Sequence, residues 1–207
     1  MGSRALFQVD DGGTRGYYWL HWGSPAYQIP NLATFIRYCR TRALVPTVEV
    51  FEGFARVFTA GQLPTEPVPA AWWDQDSTDA ENRYHLATGA AGGPVRLHAE
   101  IRHPSPTTGH GRWQQVCQTT GDAQLYLAAA RSRDRMAEEI RRLAARNPGL
   151  VGTRWLPLPE ARAVVADAAR FRRWAADAAV QDTAGPAAAG GTRRPDQAAG
   201  RPAAVRP

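Results

Sequence analysis

The most regular stretch of the chain runs from Val95 to Arg102, where Val95, Leu97, Ala99 and Ile101 alternate with Arg96, His98, Glu100 and Arg102. A period of two buries one face and wets the other, which predicts an antiparallel strand over 95–103. Strand-like runs at 82–88 and 112–119 flank it, joined by the glycine-rich 89–93 and by a loop containing Pro104, Pro106 and Gly109. Near the start, two runs of strand formers surround Asp11-Gly12-Gly13, the signature of a β-hairpin between Arg4 and Gly23. The second run crowds Tyr17, Tyr18, Trp19, His21 and Trp22 together. Tyr17, Trp19 and His21 fall on one face, and Tyr18, Leu20 and Trp22 on the other.

Helical periodicity takes over elsewhere. Asn31 is placed to cap a helix reaching Thr41, with Leu32, Phe35, Ile36 and Cys39 on one side. After Pro46, Val48, Phe51, Phe54, Ala55 and Phe58 form the core stripe of a second helix, 48–59. Asp122 is the expected cap of a long helix over 123–146, with an apolar stripe of Leu125, Ala128, Ala129, Met136, Ile140 and Leu143. Pro159 in a first turn opens a last helix, to about Ala179, buried through Ala161, Val164, Ala168, Phe171 and Trp174 or Ala175. Residues 62–81 carry Pro64, Pro67 and Pro69 and are expected to form no regular element. The pattern predicts an α+β domain over 1–180, in the order ββααβββαα, with a mainly antiparallel five-stranded sheet and helices on at least one face. A tail rich in Arg, Ala, Pro and Gly, 181–207, has too few large apolar residues to order itself.

Charge adds a direction. All 25 basic residues are arginine, which points to a high-GC bacterial genome because arginine codons are GC-rich. Residues 1–121 hold ten arginines and ten acids, so the whole net charge of +6 lies after Gly121. Arg131, Arg135, Arg142 and Arg146 recur at helical spacing, and Arg170, Arg172 and Arg173 add a second cluster. Asp134, Glu138 and Glu139 lie among the first set, as on an ordinary solvated helix, and no helix-turn-helix, RNP or zinc-finger pattern accompanies them. No apolar run reaches the roughly 18 residues that a membrane helix needs. The N-terminal segment has acids and glycines where a secretory signal needs an apolar core, and Cys39 and Cys117 read as packing thiols of a reducing compartment. A cytoplasmic location follows as the expectation.

Chemistry is sparse. No phosphate-cradling loop, nucleophile elbow or metal-ligand spacing is present, so no catalytic residue, metal or cofactor is assigned. Trp72 and Trp73 stand beside Asp74, Asp76, Asp79 and Glu81, which suits either a core plug with solvated acids or a site for a cation or partner. The expected binding residues are Tyr17, Trp19, His21 and Trp72, an aromatic platform for a partner chain or a base. Arg131, Arg135, Arg142, Arg170 and Arg173 are the expected contacts if the partner is a nucleic acid. An enzymatic reading would build on His21 with the acids of 74–81 folded over it.

Met1-Gly2-Ser3-Arg4, Asp10-Asp11-Gly12, Gly16-Tyr17-Tyr18 and His21-Trp22-Gly23 resemble the opening of a family of small proteins from phages, plasmids and high-GC bacterial genomes. That family starts M-x-[ST]-R, then has a glycine turn and a Y-x-H-W-D-G-Y-P segment; here Gly23-Ser24-Pro25 replaces its D-G-Y-P. The resemblance covers about the first forty residues. It implies an accessory or mobile-element setting and no reaction. The resulting expectation is a non-enzymatic intracellular binding or regulatory module, with nucleic-acid binding through the basic C-terminal helices and tail as the alternative.

Overall fold

The computed structural model describes residues 3–58, 62–74, 79–89, 93–103, 111–150 and 158–183. The order is β1 (Ala5–Asp10), β2 (Arg15–Leu20), α1 (Pro25–Thr41), α2 (Val48–Phe58), β3 (Glu66–Pro67), α3 (Ala71–Asp74), β4 (Asn82–Thr88), β5 (Val95–His103), β6 (Arg112–Thr120), α4 (Asp122–Arg146) and α5 (Leu158–Thr183). The fold is α+β, with one six-stranded sheet in the order β3-β2-β1-β4-β5-β6. Neighbouring strands are antiparallel except β1 and β4, which run parallel in the register Ala5↔Asn82 to Asp10↔Ala87. No helix among the described residues is long and apolar enough to cross a membrane.

One face of the sheet makes the main core. Ala5, Phe7, Val9, Tyr18, Tyr84, Leu86, Val95, Leu97 and Ala99 meet the apolar faces of α1, α2, α4 and α5 there. Phe7 stacks on Tyr84 at 4.7 Å, and Phe35 meets Phe51 edge-on at 5.3 Å. Burying each such side chain stabilises the fold by about 1.5–3 kcal/mol. Tyr84 places its hydroxyl in this apolar layer and donates to the Gly23 carbonyl at 2.7 Å. Gly23 has to be glycine: a Cβ would land on the Cβ of Ala5.

Several expectations change. The sheet has six strands, because Glu66–Pro67 pairs with β2 inside the stretch expected to be irregular. Proline is tolerated there because β3 is an edge strand needing few N–H donors. Helix α1 begins at Pro25, six residues before the expected cap at Asn31, and runs through Pro30. Pro30 supplies no N–H to the carbonyl of Ala26, and Arg133 Nη1 donates to that oxygen at 3.4 Å instead. His21 lies just beyond β2, not within it. Strand β6 extends to Thr120.

Gly121, with φ at 93°, starts α4 in a conformation that a side chain would strain, so Asp122 is not the cap. Asp122 instead accepts from Arg40 Nε at 2.7 Å and Nη2 at 3.2 Å, tying α4 to α1. On the expected stripe of α4, Met136 and Ile140 are only partly buried and Leu143 is exposed. Helix α5 buries Val164, Ala168, Phe171 and Ala175 as expected, and it continues to Thr183, into the start of the expected tail. Residues 184–207, to which the rest of that expectation applies, lie outside the described residues.

Candidate functional site

The second face of the sheet carries no long helix among the described residues. Alternate positions of the strands send Leu6 and Gln8, Tyr17 and Trp19, Arg83 and His85, and His98 and Glu100 to it, as the registers Leu6↔Trp19, Leu6↔Arg83 and Arg83↔Glu100 require. Trp113 joins them through an irregularity in β6. Ala99 faces Cys117 while the next residue, Glu100, faces Gln115, so Val116 is an extra residue in the strand. Such a bulge reverses the alternation beyond it. Cys117 and Val116 therefore pack toward the main core, whereas Trp113 joins the second cluster.

Residues 68–74 strap this face, with Val68 and Trp73 packed against Leu6, Trp19 and Ala80. Val68 N–H donates to the Tyr17 carbonyl at 2.9 Å, holding the strap along β2. The chain then turns: the N–H groups of Trp72 and Trp73 donate to the carbonyls of Pro69 and Ala70, each at 3.0 Å. That turn delivers both indoles. Trp72 stands edge-on to Trp19 at 5.7 Å and remains 37 % exposed. Trp19, only 9 % exposed, also meets the ring of His21 at 6.3 Å. Trp73 lies 6.5 Å from Tyr17 and 6.3 Å from His85.

The structure thus brings together all four residues expected to bind a partner, and it divides their labour. Trp19 is the buried anchor, Tyr17 is half-buried, and Trp72 and His21 present the accessible surface. Trp22, on the opposite parity, is 72 % exposed and belongs to no part of this cluster. Among the described residues His21 forms no hydrogen bond or ion pair with a carboxylate, and Asp79 is paired with Arg4. Asp76 lies outside the described residues.

Arg83, His85 and Trp113 were not singled out from sequence. The guanidinium of Arg83 lies 4.3 Å from the Trp113 ring and 5.5 Å from the Trp73 ring, while its Nε donates to Glu100 at 2.7 Å. The cation therefore joins two indoles that are distant in sequence. His85 sits opposite His98, and its Nε2 is buried without a hydrogen-bond partner. Burial lowers the His85 pKa, with the Asp10 carboxylate opposing and the His98 and Arg15 charges assisting. Among the described residues no three His, Cys, Asp or Glu side chains could share a metal.

The arginines expected to meet a nucleic acid separate into different environments. Arg142 Nε donates to Glu138 at 3.2 Å, and Arg170 pairs with Asp167 at 2.8 Å while lying 5.3 Å from the Trp174 ring. Arg131 and Arg135 form no ion pair among the described residues and edge a groove beside β6. Arg170 lines a second groove with Asn31 and Asp167. Arg173 is exposed on α5.

Comparison with protein-family models, curated proteins and solved structures finds no match.

Proposed function

We propose that this chain is a non-enzymatic intracellular binding or regulatory module of a bacterial accessory or mobile genetic element. Its partner is a protein that docks on the strapped face of the sheet. The observation that carries this reading is the edge-on packing of Trp72 against Trp19 beside His21. A half-exposed indole held by a buried one loses little conformational freedom on binding, and aromatic anchors of this kind dominate interface energetics. The free thiols of Cys39 and Cys117 support a reducing compartment, with burial pushing the Cys39 pKa up to about 11. The all-arginine basic complement and the opening motif support the bacterial accessory setting.

Affinity capture from a high-GC bacterial host, with wild type beside Trp72→Ala and His21→Ala, tests the surface. His21→Ala should leave the melting temperature unchanged, whereas Trp72→Ala removes the edge-on contact to Trp19 and should lower it by a few degrees, with the folded state kept as judged by circular dichroism. A defined partner protein should be retained by wild type and weakened about tenfold or more by Trp72→Ala, the range of an interface anchor. Equal retention by both variants would refute the proposed surface. For the alternative reading, the remaining support is Arg131, Arg135 and Arg173, whose charges carry no ion pair among the described residues.

A further inference from the structure

We propose that the outer edge of β6 binds an extended acidic segment of a partner protein by strand addition. The two edges of the sheet are built differently. The β3 edge is two residues long and contains Pro67, whereas β6 offers nine residues without proline and with Arg112 as its one charge. Long unguarded edges are templates for another strand.

The hydrogen-bond phase shows which groups are offered. Gly121 N–H donates to the Val95 carbonyl at 2.6 Å, so Leu97–Thr119 and Ala99–Cys117 are the bonded pairs. The backbone of Gln118 and Thr120 therefore points away from β5. The Thr120 N–H is indeed met by the Gln124 side chain at 2.9 Å and not by a strand. Beyond the bulge, Arg102 N–H donates to Glu81 at 2.8 Å, away from β6, which leaves the backbone of its partner Trp113, and of Gln115, directed outward. Among the described residues no strand pairs with this edge.

Chemistry beside the edge specifies the occupant. A groove of about 390 Å³ runs under β6, floored by Ile29, Val116, Cys117 and Ala128 and rimmed by Arg131 and Arg135. Asp134, on the same wall, is engaged by Arg172. An added strand would set alternate side chains over this groove, where apolar and acidic residues are complementary. A second copy would bring two arginine rims together, and residues 184–207, with four arginines and one aspartate, carry the wrong charge.

The test uses a fluorescein-labelled peptide alternating valine with glutamate, its valine–lysine counterpart, and amide hydrogen exchange on the full chain. The glutamate peptide should bind saturably and slow exchange at Gln115 and Gln118. Binding should fall about tenfold or more with the lysine peptide, with Gln118→Pro, and with the exposed pair Arg131→Glu/Arg135→Glu. Gln118→Pro removes one outward donor and no bond to β5; the arginine pair keeps the test valid should that strand misfold. Trp72→Ala should leave peptide binding unchanged, which separates this edge from the strapped face. Equal binding of both peptides, full binding by Gln118→Pro, or a Kd weaker than about 1 mM would overturn the proposal. So would peptide-free protection of Gln118 that accompanies a doubled mass or disappears on truncation after Thr183, identifying a second copy or the chain's own end as occupant.

Discussion

Asp11 Oδ2 accepts the backbone N–H of Val48 at 3.1 Å, so the hairpin turn caps a helix that begins 37 positions later. The other carboxylate oxygen accepts from the N–H groups of Gly13 at 3.0 Å and Thr14 at 2.7 Å. One side chain thereby fixes the turn and docks it on α2. Asp11→Ala should cost about 1–2 kcal/mol, the upper range for losing a helix cap. In a chain of this size that lowers Tm by about 2–4 °C per kcal/mol, measurable by calorimetry.

The same carboxylate gives a pH dependence. Its pKa is lowered, first by the Val48 N–H and then by those of Thr14 and Gly13. A depressed folded value means that the stabilisation is complete above the unfolded value of about 3.9 and is lost as pH falls through the folded one. Acid unfolding of Asp11→Ala followed by circular dichroism should therefore show a shallower loss of stability below about pH 4 than wild type. An identical slope would remove Asp11 from the account.

His85 should act at higher pH with the same sign. Burial lowers its pKa, so the unfolded chain takes up this proton before the folded one does. Stability should fall as pH drops below about 6.5, and His85→Gln should flatten that decline. Histidine NMR titration provides the direct check, with the His85 midpoint below 6.5.

Gly23→Ala should destabilise the chain by about 1–3 kcal/mol, as overpacking a filled core does. The new methyl would overlap Ala5 and displace the carbonyl that satisfies Tyr84. Tyr84→Phe removes the donor from the same bond and leaves a buried carbonyl unpaired, at about 1–3 kcal/mol. Urea unfolding of both singles and the double should show a smaller combined loss than the sum, because the two changes break one bond.

Arg133 and Pro30 should be coupled in the same way. Arg133→Ala deprives the Ala26 carbonyl of its donor, whereas Pro30→Ala would restore a helical N–H to it. The arginine substitution should therefore cost less in the Pro30→Ala background, by roughly 0.5 kcal/mol or more in a double-mutant cycle.

These residues also mark where sequence reasoning stops. The alternation of Val95, Leu97 and Ala99 decides its own structure, because each position carries its face in its polarity. Pro30 reads as a helix boundary because proline removes a bond, and the compensating donor is more than a hundred residues away on α4. Val116 reads as one more strand residue, yet as the bulge it puts Trp113 on the strapped face, where unbroken alternation from Cys117 leads to the core face. Tyr17, Trp19 and His21 share a face by parity alone. That Trp72 completes the group depends on Val68 pairing with Tyr17, a tertiary choice that local pattern does not encode.

The parallel pairing of β1 with β4 has a consequence for synthesis. Strand β1 is complete once the first ten residues exist, but the neighbour on its second side is far along the chain; Asn82 bonds back to the Arg4 carbonyl across 78 positions. At roughly 5–20 residues per second, the nascent hairpin waits about 3–14 s with that side unpaired. During this interval α1 and α2 emerge, and they can cover Phe7 and Tyr18 before the sheet closes. The order of emergence from the ribosome therefore shelters the apolar surface first and the backbone edge last.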